Sequence, residues 1–96
     1  MIVSFGDIAT EDLYHGRTTG RTRRIPDELV DAALRKLDML NAAADLGDLR
    51  SPPGNRLEAL KGDRSGFSSI RVNDRWRIVF RWQSRNAFDV RLTDYH

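Results

Sequence analysis

The residues of this sequence that are best suited to chemistry are two cations, one carboxylate and a terminal histidine. Arg77 lies in the run Arg-Trp-Arg-Ile-Val-Phe-Arg, Glu58 and Lys61 are three residues apart, and His96 ends the sequence. RNA can be cleaved without a metal ion if a base deprotonates the 2′-hydroxyl, an acid protonates the 5′-leaving oxygen, and cations stabilise the charged phosphorane. The sequence offers Glu58 as the base and His96 as the acid. Arg77 and Lys61 are the candidates for a phosphate clamp. Three residues apart on a strand, Glu58 and Lys61 would point to opposite faces unless the strand twists or bulges near Gly62. The alternative interpretation is that Glu58 is a solvated strand residue and His96 a frayed terminus.

Other kinds of site have less support. The sequence has no cysteine and two histidines at unrelated positions, which does not indicate a zinc site. No Gly-rich phosphate loop follows a predicted strand and opens a helix, and no Gly-x-Ser-x-Gly occurs. A Ser-His-Asp triad is compatible with the composition, but no spacing argues for one. We expect His15, on a short exposed helix, to be structural.

The arginine-containing run predicts the strand that would carry this site. Arginine alternates with large apolar residues at a period of two, except at Val79, so the two kinds of side chain would lie on opposite faces. One face would carry Arg75, Arg77 and Arg81. The other face would enter the core with Trp76, Ile78 and Phe80.

The preceding turn determines which residues face each other across the hairpin. Asn73-Asp74 predicts a two-residue turn, because both residues tolerate positive φ at low cost. If Val72 pairs with Arg75, then Phe67 lies opposite Phe80. Phe67 would therefore share the core face.

Two helices are predicted to cover that core face. The first runs from about Asp7 to His15, after a short strand over residues 1–5. The second opens at Pro26, with acidic residues beside the positive end of the helix dipole, and continues to about Asp45. Its apolar residues recur at spacings of three and four on one face. They are Leu29, Ala33, Leu37, Leu40 and Ala44.

The second half of the sequence predicts a meander of strands. They cover residues 56–61, 67–72 and 75–82, followed by a last strand in which Phe88, Val90 and Leu92 alternate with polar residues. The expected fold class is α+β, with two helices packed on one face of a mostly antiparallel sheet of about four to five strands.

Composition predicts one soluble domain over residues 1–96. A chain of 96 residues with 40% hydrophobic and 31% charged residues suffices for one core. It contains no run of 18 apolar residues and no basic segment followed by an apolar one, so neither a membrane span nor a secretory signal is predicted. The lack of cysteine fits a reducing cytoplasm.

Positive charge is concentrated in the second half of the chain. Residues 1–50 have seven basic and nine acidic residues, and residues 51–96 have nine and five. Of the 16 basic residues 14 are arginine, whose planar guanidinium matches phosphate oxygens. This favours a nucleic-acid partner, although a high-GC genome explains the arginine bias equally well. Residues 17–24, which include Arg23 and Arg24, are either a solvated linker or a phosphate-contacting arm.

Three separated motifs resemble the HigB toxins of the RelE/ParE superfamily. They are Leu-Glu-Ala-Leu-Lys-Gly-Asp at 57–63, Ser-Ile-Arg-Val-Asn-Asp-Arg-Trp-Arg-Ile-Val-Phe at 69–80, and Asp-Tyr-His at 94–96. The resemblance extends over nearly the whole chain, including Ile-Val-Ser-Phe at 2–5. It implies a microbial-RNase-like fold and a ribosome-dependent endoribonuclease that cleaves mRNA in the ribosomal A site and thereby stops translation.

The resemblance also implies roles for individual residues. Lys61 and Arg77 match the active-site lysine and arginine of the family. The catalytic C-terminus is matched by Asp94, Tyr95 and His96. Several members have histidine where this sequence has Glu58, and a carboxylate base with a histidine acid is similar to the YoeB-type branch. The remaining arginines considered for contacts with RNA or the ribosome are Arg75, Arg81, Arg23 and Arg24.

The implied partners are a helix-turn-helix antitoxin of the HigA type, the 70S ribosome and mRNA, with no membrane and no cofactor or metal. The free toxin is expected to be a monomer that forms a higher-order complex with its antitoxin. Two alternatives remain open: a ParE-like toxin that poisons DNA gyrase without cleaving RNA, and a degenerate toxin that binds only its antitoxin. The Leu-Lys-Gly-Asp and Asp-Tyr-His segments argue against the gyrase alternative.

Overall fold

Two α-helices cover one face of a four-stranded antiparallel sheet in residues 1–94, the part of the chain that this computed structural model describes. The helices are α1 (Ile8–Tyr14) and α2 (Asp27–Ala42). The strands pair in the order β1-β2-β3-β4. Their bounds are Glu58–Ala59, Phe67–Arg71, Trp76–Gln83 and Asn86–Asp94. The predicted fold class is confirmed.

Within the described residues the connections contain four short 3-10 turns, at Thr22–Arg24, Leu46–Arg50, Pro53–Asn55 and Gly62–Arg64. Helix α1 begins as predicted, because the Asp7 carboxylate accepts the backbone N–H of Thr10 at 2.8 Å. No helix within residues 1–94 is long and apolar enough to cross a membrane.

The core lies between the helices and the sheet. Helix α2 buries the predicted stripe Leu29, Ala33, Leu37 and Leu40. The sheet contributes Ile70, Ile78, Phe80, Ala87, Val90 and Leu92. Burying a large apolar side chain stabilises the fold by about 1.5–3 kcal/mol, so this layer supplies most of the driving force for folding.

Helix α2 ends earlier than its apolar spacing predicts. It ends at Ala42, and the extended backbone of Ala43 turns that side chain into the core while Ala44 is exposed. The Asp48 carboxylate accepts the backbone N–H groups of Ala44 at 3.0 Å and Asp45 at 3.1 Å. These bonds start the following 3-10 turn, which explains why the predicted end near Asp45 is wrong.

The β2–β3 hairpin has a three-residue loop, so the predicted two-residue turn is wrong. The backbone N–H of Val72 donates to the Trp76 carbonyl at 2.9 Å, and β3 begins at Trp76, which leaves Arg75 in the loop. The Asn73 side-chain oxygen accepts the backbone N–H groups of Arg75 at 2.9 Å and Trp76 at 2.8 Å. This asparagine bond stabilises the wider loop.

The longer loop shifts the register by one residue. Phe67 lies opposite Arg81 and therefore on the face away from the helices, not on the core face. Arg71 lies directly opposite Arg77. The predicted orientation of the apolar residues in β3 is confirmed: Ile78 and Phe80 are buried, and Trp76 packs against the core.

A bulge at Asp89 changes the orientation of one predicted core residue. Asp89 has φ 54°, its N–H donates to the Ser4 hydroxyl at 2.9 Å, and the pairing with β3 shifts register there. Ala87 consequently faces the core. Phe88 lies on the opposite face, with its ring centroid 5.4 Å from Cζ of Arg81.

Both ends of the sheet are less regular than predicted. Residues 1–5 do not form a continuous strand; they make two isolated parallel bridges to β4, Ile2 with Ala87 and Phe5 with Val90, on either side of the bulge. Strand β1 has two residues instead of the six predicted over 56–61.

Asn55 holds the connector between α2 and β1. It is fully buried, and its Nδ2 donates to the carbonyls of Leu49 at 3.2 Å and Ser51 at 3.3 Å. The Lys36 ammonium donates to its Oδ1. Burial, reinforced by the charge of Arg35, lowers the pKa of Lys36 below its ordinary value. This network fixes the backbone that leads into β1.

Replacing Asn55 by alanine is expected to lower the free energy of unfolding by about 2–4 kcal/mol, because it leaves buried acceptors and a partly buried ammonium without partners. Urea denaturation measures this change. Asn41→Ala is the control, since Asn41 is exposed and accepts one bond, from the Ile2 N–H at 2.9 Å. Equal losses for the two variants would contradict the role of Asn55.

Candidate active site

Arg77 lies on the face of the sheet that the helices leave open, and its guanidinium is fixed by its neighbours. Nε donates to the Ser69 hydroxyl at 2.8 Å, and Nη2 donates to the Arg56 carbonyl at 2.6 Å and the Ser69 carbonyl at 3.4 Å. The side chain is 12% exposed. A cation held in one orientation needs little reorganisation when an anion binds, which is the property of a phosphate clamp.

The structure brings Glu58 and Arg77 together. Glu58 pairs with Ser69 across the β1–β2 ladder and therefore projects on the same face as Arg77. Its Oε1 lies 3.7 Å from Nη1 of Arg77. The Glu58 side chain is 59% exposed, so an RNA hydroxyl could reach the carboxylate from solvent.

Lys61 lies just beyond β1. The strand ends at Ala59, and Gly62, with φ 67°, starts the next 3-10 turn. The alternation of strand faces therefore no longer governs the direction of Lys61 relative to Glu58. The lysine is exposed, and within residues 1–94 it makes no ion pair. Its ammonium is available to an external anion.

The predicted catalytic C-terminus is described as far as Asp94. Asp94 pairs with Trp76, the residue before Arg77, and its Oδ2 lies 3.2 Å from Nη2 of Arg75. Tyr95 and His96 lie outside the described residues, and their roles stay predictions.

The other predicted RNA-contacting arginines do not converge on Arg77. Arg81 is further along β3, where its Nε lies 2.9 Å from Asp89 Oδ2 and its guanidinium stacks on Phe88. Arg23 and Arg24 are exposed in the Thr22–Arg24 turn between the helices. They lie on the helical side of the sheet and would meet a different part of any large partner.

Sequence reasoning missed two arginines beside Arg77. An open pocket of about 250 Å³ is lined by Arg56, Arg71, Asn73, Asp74 and Arg77. Arg71 pairs with Asp74 across the hairpin loop. The signal in the sequence was Asn73: a three-residue loop closed by that side chain would have placed Arg71 opposite Arg77.

The chain that carries this fixed guanidinium and neighbouring carboxylate matches a known protein family. Residues 4–96 match the family described as HigB-like toxin, the RelE-like toxin of the type II toxin–antitoxin system HigB. The chain belongs to this family. The predicted resemblance is therefore confirmed. A HigB-like chain is a toxin with an antitoxin partner, and the predicted endoribonuclease class is also confirmed.

Two relatives and one solved structure illustrate the similarity of this HigB-like chain. It is 44% identical over 92 residues to Toxin HigB-1 of Vibrio cholerae, covering 96% of this chain and 95% of the relative. It is 35% identical over 77 residues to Endoribonuclease HigB of Proteus vulgaris, covering 80% and 83%. Its fold is similar to a chain of the YoeB–YefM complex from Staphylococcus aureus, with a TM-score of 0.61, 16% identity, and coverage of 100% and 98%.

Proposed function

We propose that this HigB-like toxin, a single domain over residues 1–96, cleaves mRNA in the ribosomal A site by general acid–base catalysis without a metal ion. The observation that carries the proposal is the 3.7 Å approach of the Glu58 carboxylate to the fixed Arg77 guanidinium on the open face. A base and a cation next to each other are what attack of a 2′-hydroxyl on its own phosphodiester requires.

In this reaction Glu58 removes the proton from the 2′-hydroxyl, and the 2′-oxygen attacks the phosphorus. Arg77 and Lys61 stabilise the added negative charge of the phosphorane. The bond from phosphorus to the 5′-oxygen then breaks while His96 donates a proton to that oxygen. The products are a 2′,3′-cyclic phosphate and a 5′-hydroxyl. Asp94 and Tyr95 belong to the same catalytic C-terminus as His96.

The shallow site supports dependence on the ribosome. Glu58 is more than half exposed on a two-residue edge strand, so the toxin offers little wall against which flexible RNA can be oriented. Holding the reacting groups in position removes a large part of the activation barrier, and in this proposal the ribosome supplies that positioning for mRNA in the A site. In this proposal Arg75, Arg81, Arg23 and Arg24 contact ribosomal RNA phosphates and fix the orientation of the toxin.

In this proposal the toxin acts in the cytoplasm, where mRNA is translated. Its antitoxin is a helix-turn-helix protein of the HigA type. Membership of a type II toxin–antitoxin family supports an antitoxin partner, as does the solved assembly of YoeB with YefM.

Glu58→Gln is expected to reduce cleavage of ribosome-bound mRNA by about 10²–10⁴-fold, because an amide cannot accept the 2′-hydroxyl proton. Primer extension on mRNA from purified ribosome complexes measures the rate and maps the cut to the A site. The melting temperature should fall only slightly, since the ion pair of the exposed Glu58 carboxylate with Arg77 contributes little to stability.

The matched control is Glu28→Gln, an exposed glutamate in the first turn of α2. It should retain full activity. Growth arrest by the parent toxin without any A-site cleavage would overturn the proposed function itself. A parent that cleaves together with a fully active Glu58→Gln variant would overturn only the role of Glu58.

A further inference from the structure

We propose that Arg56 and Arg71 form a second phosphate subsite beside Arg77. This subsite would hold the mRNA phosphodiester next to the one that is cleaved. In the free toxin the Asp74 carboxylate would occupy the subsite. The inference rests on the proposed function, because it takes Arg77 as the contact of the scissile phosphate. Neither arginine belongs to the acid, base and clamp set described above.

The first support is the opposition of two like charges. Arg71 and Arg77 are direct cross-strand partners on the open face, a position at which side chains start about 4.5–5.5 Å apart. Like charges at such a position destabilise a sheet unless anions neutralise them. Here each has a carboxylate: Asp74 pairs with Arg71, and Glu58 lies 3.7 Å from Arg77. The opposition of the two guanidinium groups therefore favours bound anions, which reduce the repulsion between them.

The second support is the backbone of Arg56. It has φ 45° and ψ 57°, the left-handed region that a residue with a Cβ rarely adopts. Buried Asn55 precedes it, and its carbonyl accepts the Nη2 bond of Arg77. This arrangement makes the exposed residue Arg56 part of the lining of the same pocket, at a position where a glycine would satisfy the backbone with less strain.

The third support is the ease of exchanging Asp74 for a phosphate. The Asp74 side chain is 92% exposed, and that of Arg71 is 30% exposed. An exposed ion pair contributes little to stability, so opening it costs little. In the proposed subsite a phosphodiester takes the place of the Asp74 carboxylate and accepts bonds from Arg71 and Arg56, which line the same pocket. Asp74 therefore acts as an internal competitor that an RNA strand displaces.

The test measures single-turnover cleavage on ribosomes as toxin concentration is varied. Arg71→Gln and Arg56→Gly should each raise the half-saturating toxin concentration about tenfold, with a smaller effect on the maximal rate. The glycine keeps the left-handed backbone and the carbonyl that holds Arg77. Asp74→Asn should lower the half-saturating concentration a few-fold, because it releases Arg71. Arg35→Gln, an exposed arginine of α2, is the control and should behave like the parent.

A second arm identifies the phosphate. An mRNA with a neutral methylphosphonate at the linkage beside the scissile one should abolish the difference between Arg71→Gln and the parent. A difference of the same size on both mRNAs would overturn the proposal, because the arginines would then contact ribosomal RNA. Unchanged half-saturation in both arginine variants would overturn it too.

A parent toxin that cleaves nothing would refute the proposed function and leave the subsite open to a separate measurement. Binding of a 2′-O-methyl RNA oligonucleotide is then followed at several salt concentrations. Arg71→Gln should reduce the slope of log K against log salt by about 0.7, the value for one phosphate contact with a single strand. An unchanged slope would overturn the subsite.

Discussion

Arg77→Gln is expected to cleave ribosome-bound mRNA about 10²–10³-fold more slowly than the parent, the loss typical of removing one fixed donor to a developing oxyanion. The effect should appear mainly in the maximal rate, because the guanidinium contacts the phosphate most strongly when it becomes a phosphorane. Single-turnover primer extension at saturating toxin measures it.

Arg77 also supports the fold through Ser69 and the Arg56 carbonyl, so each rate must be read with a melting curve. Arg77→Lys keeps the positive charge but lacks the forked donors of arginine. Its cleavage rate should therefore lie between that of Arg77→Gln and that of the parent. Ser69→Ala removes one anchor of the guanidinium and leaves the charge. A folded Arg77→Gln protein with the parent's rate would refute the phosphate role.

His96→Ala is expected to reduce cleavage by about 10²–10⁴-fold at an unchanged melting temperature, because the 5′-oxygen would leave without its proton donor. The same assay measures the rate, and loss of growth arrest in cells gives a second readout.

His15→Ala is the matched control for the other histidine. His15 follows α1, with its ring centroid 5.8 Å from that of Phe5 and 5.6 Å from that of Tyr14. Its replacement should affect stability and spare activity. A collapsed melting temperature in His96→Ala would point to a structural role, and full toxicity would exclude His96 as the acid.

The elements with strong periodicity were predictable from sequence. The buried face of α2 and the apolar face of β3 follow from spacing alone, because each pattern fits one secondary structure. The register was not predictable in the same way. Alternation does not distinguish a two-residue from a three-residue loop, and the Asn73 side chain decided between them.

The bulge at Asp89 escaped prediction for a related reason. Phe88 and Val90 both fit an apolar alternation, and the extra residue that separates their faces is stabilised by Ser4, which is 85 positions away in the chain. Such a contact depends on tertiary structure and leaves no local pattern.

The site was predictable in its residue types and less so in its geometry. The chemistry of RNA cleavage selected Glu58 and Arg77, and the sheet brings them together. Arg56 holds Arg77 through its carbonyl and lies in the pocket because of its left-handed backbone, and neither feature leaves a local pattern in the sequence.

The short strand β1 means that the two halves of the proposed site differ in how firmly they are held. Arg77 lies on an inner strand, bonded to neighbours on both sides, whereas Glu58 lies on an edge strand with two ladder pairs. Short edge segments open locally at a far smaller free energy than the global unfolding of a domain. Peeling of β1 would withdraw Glu58 and leave Arg77 on its inner strand, so if Glu58 is the base, as proposed, cleavage would stop while the rest of the fold stays intact.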